Sequence, residues 1–209
     1  MGIVPETIEL IRVADDEIVK ASVVTLTRKL AQVEIDTKWW QIPDVSQAKR
    51  SQESDHSWRW AERLGQLRGR QWFSALAVQT DDRRIQGAIL YRSDALSFVE
   101  AGVGAVHIEA VATAPRNRSW LVSAPVYRGV GSGLVFCAVL HSYQLGLGGR
   151  VNLVSVNDRR TTDFYNHLGF TQAGDDGEEG EEKLPKFELD TNAAQRWLRE
   201  EGYEDEPQN

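Results

Sequence analysis

Apolar and polar positions change period several times along this chain, and the changes mark its elements. Thr7 to Arg12 alternates as a strand. From Asp15 to Ile35, Ile18, Val19, Val23, Leu26 and Leu30 recur at helical spacing. Asp15, Asp16 and Glu17 stand where a helix dipole favours acid, so the pattern predicts a helix. Thr37 to Asp44 reads as a loop ending near Pro43, and Val45 to Asp55 is polar without a usable period. Asp55 to Arg68 predicts a second helix, with Trp58, Ala61 and Leu64 on one face and Gly69 ending it. Gln71 to Gln79 and Ile85 to Tyr91 predict a hairpin around Thr80 to Arg83, followed by a Ser93 to Gly104 loop. Val106 to Ala114 is a strand that Pro115 stops. A helix follows to about Leu145, where Gly146, Gly148 and Gly149 end it. Val151 to Val156 is a strand, Asp158 to Leu168 a helix, Lys186 to Asp190 a last strand and Ala193 to Glu201 a terminal helix. The order β-α-α-β-β-β-α-β-α-β-β is that of one mixed α/β domain over residues 1–200.

The centre of this order is Tyr127-Arg128-Gly129-Val130-Gly131-Ser132-Gly133, followed at once by the apolar run Leu134 to Leu140. Strand, glycine loop, helix is an order that turns unpaired backbone N–H groups toward an anion at a helix N-terminus. Glycine admits a phosphate where a Cβ would hold it off. A Gly-x-Gly-x-Gly string taken alone is equally a flexible turn.

Arg128 to Gly133 fits Arg/Gln-x-x-Gly-x-Gly/Ala, and Phe164-Tyr165-Asn166-His167-Leu168-Gly169-Phe170 follows about thirty residues on. Together they resemble the GNAT superfamily of acetyl-CoA-dependent N-acyltransferases. The specific match covers roughly residues 106–171. The resemblance implies a mixed, mostly antiparallel central sheet flanked by helices. It also implies acetyl-CoA as co-substrate, bound by Arg128, Gly129, Val130, Gly131, Ser132 and Gly133 at the pyrophosphate. The backbones of Val111, Ala112 and Thr113 would meet the pantetheine arm, and Tyr165 would close the site. Two departures stand out. Arg116 to Val126 is an insertion between the strand-ending proline and the loop. The Asn that the family often carries seven residues before the Tyr is Asp158 here, with Asn157 one residue earlier and named in its place.

Composition narrows the setting. Hydrophobic residues make up 41%, too many for a disordered chain, and no apolar run approaches the roughly eighteen residues of a membrane span. Met1 to Leu10 has neither a basic nor an apolar signal region, and one cysteine, Cys137, excludes an internal disulfide and a cysteine metal site. A cytoplasmic protein without a metal is the expectation. The net charge is −7, yet Gly174 to Asn209 alone holds 13 acidic and 4 basic residues. The rest is slightly basic, without a nucleic-acid-binding stripe. Asp175 to Glu182, within an acidic stretch at 174–182, reads as a mobile loop, and 202–209 as an acidic tail. Arg116, Arg118, Arg128, Arg159 and Arg160 either meet an anionic cofactor or lie solvated on the surface.

Acyl transfer to an amine needs a base for the ammonium and an acid for the leaving thiolate. The resemblance makes Tyr165 the acid; a phenol that only packs against the pantetheine is the alternative. Glu109 is the candidate base, six residues before Pro115 and on one strand face with His107 and Val111. Its alternative is a glutamate paired with a basic neighbour. His107, about 7 Å along that face, relays protons or lines the cleft. Cys137 in its apolar run reads as an inert thiol, and His56, His141 and His167 have no partner at ligand spacing. Trp39 and Trp40 line an acceptor pocket or pack on the core. The expected activity is direct transfer of acetyl from acetyl-CoA to a primary amine on a small molecule or peptide. A homodimer is compatible with this, and neither nucleic acid nor membrane is expected as a partner. Two other classes remain open: a catalytically silent acyl-CoA-binding module, and an acetylating toxin acting on charged tRNA.

Overall fold

The computed structural model describes residues 5–43, 45–177 and 182–203. The chain opens with an antiparallel hairpin of β1 (Thr7–Arg12) and β2 (Ile18–Thr25), with Ile11 opposite Ile18. β2 corrects the helix expected from Asp15 to Ile35. The three acids form the turn between the strands. Asp16 takes a left-handed φ of 56°, Glu17 N–H donates to Asp15 Oδ1 at 3.2 Å, and the Arg12 guanidinium bridges Asp15 and Glu17. Five of the eight residues of β2 are β-branched, which favours a strand over a helix. Only the end of the expected helix is helical. Thr27 caps α1 (Arg28–Leu30), which runs directly into a π-helical stretch, Ala31–Asp36.

Two short helices follow, α2 (Gln47–Ser51) and α3 (Trp60–Gln66). α3 starts five residues later than expected; Arg59 gives it no side-chain cap, and the Asp36 carboxylate accepts from Trp60 N–H and Ala61 N–H at 2.8 and 3.0 Å. Then come β3 (Phe73–Gln79), β4 (Ile85–Leu96) and β5 (Gly104–Thr113). β4 continues five residues beyond the expected Tyr91. After a 3₁₀ turn at Pro115–Asn117, a short β6 (Tyr127–Arg128) pairs antiparallel with β1, Ile11 opposite Arg128. α4 (Val130–Gln144), β7 (Val151–Val154), α5 (Arg159–His167), β8 (Thr171–Asp176), β9 (Leu184–Leu189) and α6 (Thr191–Glu200) complete the order.

The nine strands form one sheet in the order β6-β1-β2-β3-β4-β5-β7-β9-β8. β5 and β7 run parallel from Val106 opposite Val151 to Ile108 opposite Leu153; the β1–β2, β1–β6, β2–β3, β7–β9 and β8–β9 pairs are antiparallel. The sheet is thus mixed and mostly antiparallel, as expected.

The residues divide into two compact units. Of the described residues, one holds 91–109, 136–177 and 182–203, the other 5–43, 45–90 and 110–135, so β4, β5 and α4 each have an end in both. In the second unit Leu26, Ile35, Trp39, Trp60, Ile85 and Leu90 form the core. Trp39 belongs to it, with its indole N–H on the Ile85 carbonyl at 3.1 Å. In the first, Tyr165, Phe170 and Phe187 pack ring on ring at 5.4–5.6 Å. The acidic stretch begins inside a strand: Asp175 lies opposite Pro185, Asp176 opposite Leu184, and Lys186 bonds Asp176 at 2.9 Å. The mobile-loop expectation therefore does not hold for Asp175 and Asp176. Residues 178–181 and 204–209 lie outside the described residues. No helix among the described residues is long and apolar enough to cross a membrane.

Candidate active site

The glycine loop and the end of β5 lie in one unit. Gly129 sits at φ +86°, where an L side chain is strained, and α4 begins at the next residue. The Gly133 amide donates to the Gly129 carbonyl at 2.9 Å, closing the first helical turn. The amides of Val130, Gly131 and Ser132 precede that bond, so the helix itself offers them no carbonyl. No acidic side chain stands in this first turn. The Ser132 hydroxyl bonds the Gly129 carbonyl at 3.0 Å and stiffens the loop. Gly133 has a different role from the one the motif suggests. A Cβ there would lie 2.5 Å from Ile8 Cδ1, so this glycine lets α4 pack against β1 rather than admitting a phosphate. Gly87 does the same beneath Val130 and Leu134, at 2.5 and 2.8 Å.

Of the five arginines, two are neither cofactor ligands nor surface groups. Arg116 is half-buried and donates to the Ile85 carbonyl at 2.6 Å and Gln86 Oε1 at 3.1 Å. Arg118 is 4% exposed and bound to Glu53, Asp55 and the Thr113 carbonyl. Arg128 is exposed and paired with Asp16, while Arg159 and Arg160 are exposed beside Asp163 and Asp158. In β5, Ala112 is buried and Val111 and Thr113 half-buried. The Thr113 carbonyl accepts Arg118 Nε at 3.0 Å and Nη2 at 2.7 Å, which fills both its acceptor positions. It has no lone pair left for a pantetheine amide.

The candidate acid and base lie in the other unit. Glu109 has a 35% exposed side chain and accepts Arg92 Nε at 2.8 Å; Arg92 also holds Asp94 at 2.9 Å. His107, on the same strand face, has Nδ1 2.7 Å from Asn152 Oδ1, and its ring meets Phe98 edge-on at 6.0 Å. Asn152 is buried and donates to the Leu96 carbonyl, which orients its oxygen toward the imidazole. Tyr165 is buried among Phe164, Phe170 and Phe187, and burial pushes its phenol above the usual value near 10. It stays protonated across the working pH range. Asp158 caps α5, accepting from Arg160 N–H at 3.0 Å and Thr161 N–H at 3.3 Å. Desolvation opposes its charge, but the bonds from Thr161 and Arg160 outweigh it and hold the carboxyl below its usual range. Asp158 is thereby occupied as a cap, and Asn157 beside it is exposed.

Burial pushes the Cys137 thiol up to about 12, so it is no nucleophile. His141 is bound to Tyr91 Oη at 2.9 Å and His56 to the Glu53 carbonyl at 2.8 Å. No cluster of metal-ligating side chains occurs among the described residues. The sequence reading missed the buried partners of Arg118, whereas the basic neighbour it weighed as the alternative for Glu109 is present as Arg92. For Glu109 the signal was a charge in the otherwise apolar strand β5, which calls for an opposite charge nearby without naming it; Arg118 lies beyond that strand, in the insertion, and gave no such signal.

No protein-family model matches the sequence, and no curated protein matches it. Solved structures do resemble it in fold. The GNAT domain of S. lividans PAT is 14% identical, with 88% of this chain and 96% of that one covered, at a TM-score of 0.56. Mutant forms of the spermidine/spermine N-acetyltransferase SpeG from Vibrio cholerae are 12% identical, covering 85% and 97%, at 0.53. The ribosomal-protein-S5-alanine acetyltransferase from Vibrio fischeri is 11% identical, covering 82% and 93%, at 0.53. With a mostly antiparallel sheet, a glycine loop opening α4 and a buried tyrosine on α5, the chain has the fold of the GNAT acetyltransferases.

Proposed function

We propose that the protein is an acetyl-CoA-dependent N-acetyltransferase whose primary-amine substrate, a small molecule or a peptide, attacks the thioester directly. The observation that carries this reading is the start of α4. Gly129 turns the chain at φ +86°, the helix opens at once, and no acid stands in its first turn. This arrangement suits a pyrophosphate. Acetyl-CoA supplies an activated carbonyl and a thiolate leaving group. The amides of Val130, Gly131 and Ser132 hold the phosphates, with Arg128 beside them. Val111 and Ala112 at the strand end take the pantetheine arm. Glu109 takes the proton of the acceptor ammonium through water. As the C–N bond forms and the C–S bond breaks, the nitrogen releases its second proton to water, and Tyr165 gives its proton to sulfur and recovers one from solvent.

Calorimetric titration with acetyl-CoA tests the reading. The wild type binds, and Gly129→Val, strained at a left-handed φ by about 1–3 kcal/mol, loses affinity by about tenfold or more. A wild type that does not bind acetyl-CoA ends the proposal. Tyr165→Phe, whose ring fits the same aromatic surroundings, lowers kcat by about 10²- to 10⁴-fold with little change in acetyl-CoA affinity. Glu109→Gln lowers kcat/KM most near neutral pH, and the loss shrinks as pH approaches the amine's own pKa. A pH-independent loss assigns Glu109 to positioning instead. The pairing of Glu109 with Arg92 favours a second reading, an acyl-CoA-binding module without turnover. Thiol release on adding an amine separates the two.

A further inference from the structure

The insertion between Pro115 and Tyr127 carries a buried charge that the reaction as proposed does not use. Arg118 spends all five of its N–H donors. Nε and one Nη2 proton meet the Thr113 carbonyl, Nη1 meets Glu53 Oε2 and Asp55 Oδ1 at 2.8 Å each, and Nη2 also meets Asp55 Oδ2. Glu53 and Asp55 are 8% and 7% exposed, so the cluster is dry. The Trp120 indole N–H donates to Glu53 Oε1 at 2.9 Å, and the Trp40 ring lies 5.4 Å from the guanidinium. The insertion is fastened at its ends as well: Asn117 donates to Gln86 and accepts from Tyr127 N–H at 3.2 Å. Stability alone does not require this arrangement, since well-packed apolar residues hold a chain as well as a buried ion pair does. The cluster has instead the geometry of a bracket. Its fork fixes the carbonyl at the end of β5 against the segment joining α2 to α3.

We propose that Arg118 is a positioning residue for acyl transfer, setting the end of β5 at Thr113 by locking its carbonyl onto the Glu53–Asp55 segment. The proposal rests on the reading that Val111 and Ala112, just before Thr113, receive the pantetheine arm. The insertion is then the part of the chain that supplies the bracket. A lysine cannot replace it, because an ammonium offers three donors and no planar fork.

The test uses the full chain and two variants, Arg118→Lys and Asp55→Asn, assayed at a temperature where each is folded. Arg118→Lys lowers kcat/KM for acetyl-CoA by about 10- to 100-fold per folded molecule, the scale of a misplaced binding element. Asp55→Asn keeps one acceptor for the fork and loses about tenfold or less. Amide hydrogen exchange gives a readout independent of turnover: Ala112 to Ala114 exchange faster in both variants, while β7 and β9 keep wild-type rates. Constants unchanged in the folded variants, or exchange accelerated everywhere alike, overturn the positioning role and leave the acetyltransferase reading standing. A wild type that does not bind acetyl-CoA overturns both, and the wild-type titration tells the two failures apart.

Discussion

Arg118 and Arg150 are both buried, and each holds two carboxylates, yet they are built differently. Arg118, with a 5% exposed side chain, satisfies all five donors on Glu53, Asp55 and a backbone carbonyl. Arg150, with a 4% exposed side chain, bonds Glu188 and Glu100 at 2.5 Å each and Ser97 at 3.5 Å, and its Nε has no partner among the described residues. Around Arg150, it is Glu188 that gathers the chain, accepting also from Ser97 Oγ and Phe98 N–H at 2.6 Å. In one cluster the arginine is the hub, and in the other the glutamate is. The same pair of residue types can therefore anchor a loop from either side of the charge.

That contrast sets the largest expected effect. Arg118→Lys destabilises by about 3–5 kcal/mol, because two buried carboxylates and a carbonyl lose the fork. Arg150→Lys, replacing three used donors by three, costs about 1–2 kcal/mol. Urea unfolding of both variants decides the matter, and equal losses would show that donor count is not what separates the clusters. Next in size is the anchoring of the glycine loop, where shape replaces charge. Gly133→Ala costs about 1–3 kcal/mol by pushing Ile8, and the cost shrinks in an Ile8→Val background, which removes the offending Cδ1. The same cost in both backgrounds would clear Ile8. The smallest effect contrasts paired charges with a buried group that stays neutral. An unfolded Cys137 ionises near 8.5, whereas the folded thiol keeps its proton to about 12. Above 8.5 the unfolded chain binds fewer protons, so stability falls as pH rises, by up to about 1.4 kcal/mol per unit. Between pH 8.5 and 9.5, below the range where Tyr165 adds its own slope, Cys137→Ala removes this decline. A slope unchanged by the substitution would mean that the thiol ionises in the folded state.

What could be read from the sequence followed chain distance. The strand stopped by Pro115, the glycine loop, α4, and α5 with Tyr165 were readable because their signals sit within a few residues of one another. Asp15 to Ile35 misled because Ile18, Val19, Val23 and Leu26 fit a strand as well as a helix, and Asp15 to Glu17 suit a tight turn as well as a helix start. β6 has two residues and exists only through its pairing with β1. The reason for Gly133 lies at Ile8, and the partners of Arg118 lie 63 and 65 residues upstream. Side chains that meet only after folding leave no local period.

Direct acyl transfer is tested most directly by incubating the wild-type protein and acetyl-CoA with a broad panel of primary amines, and measuring free thiol and acetylated amine together. The expected result is thiol release that depends on the amine, matched one for one by acetylated product, with no acetyl group left on the protein. No thiol release with any amine of the panel, from a protein that binds acetyl-CoA, would contradict transfer and leave an acyl-CoA-binding module.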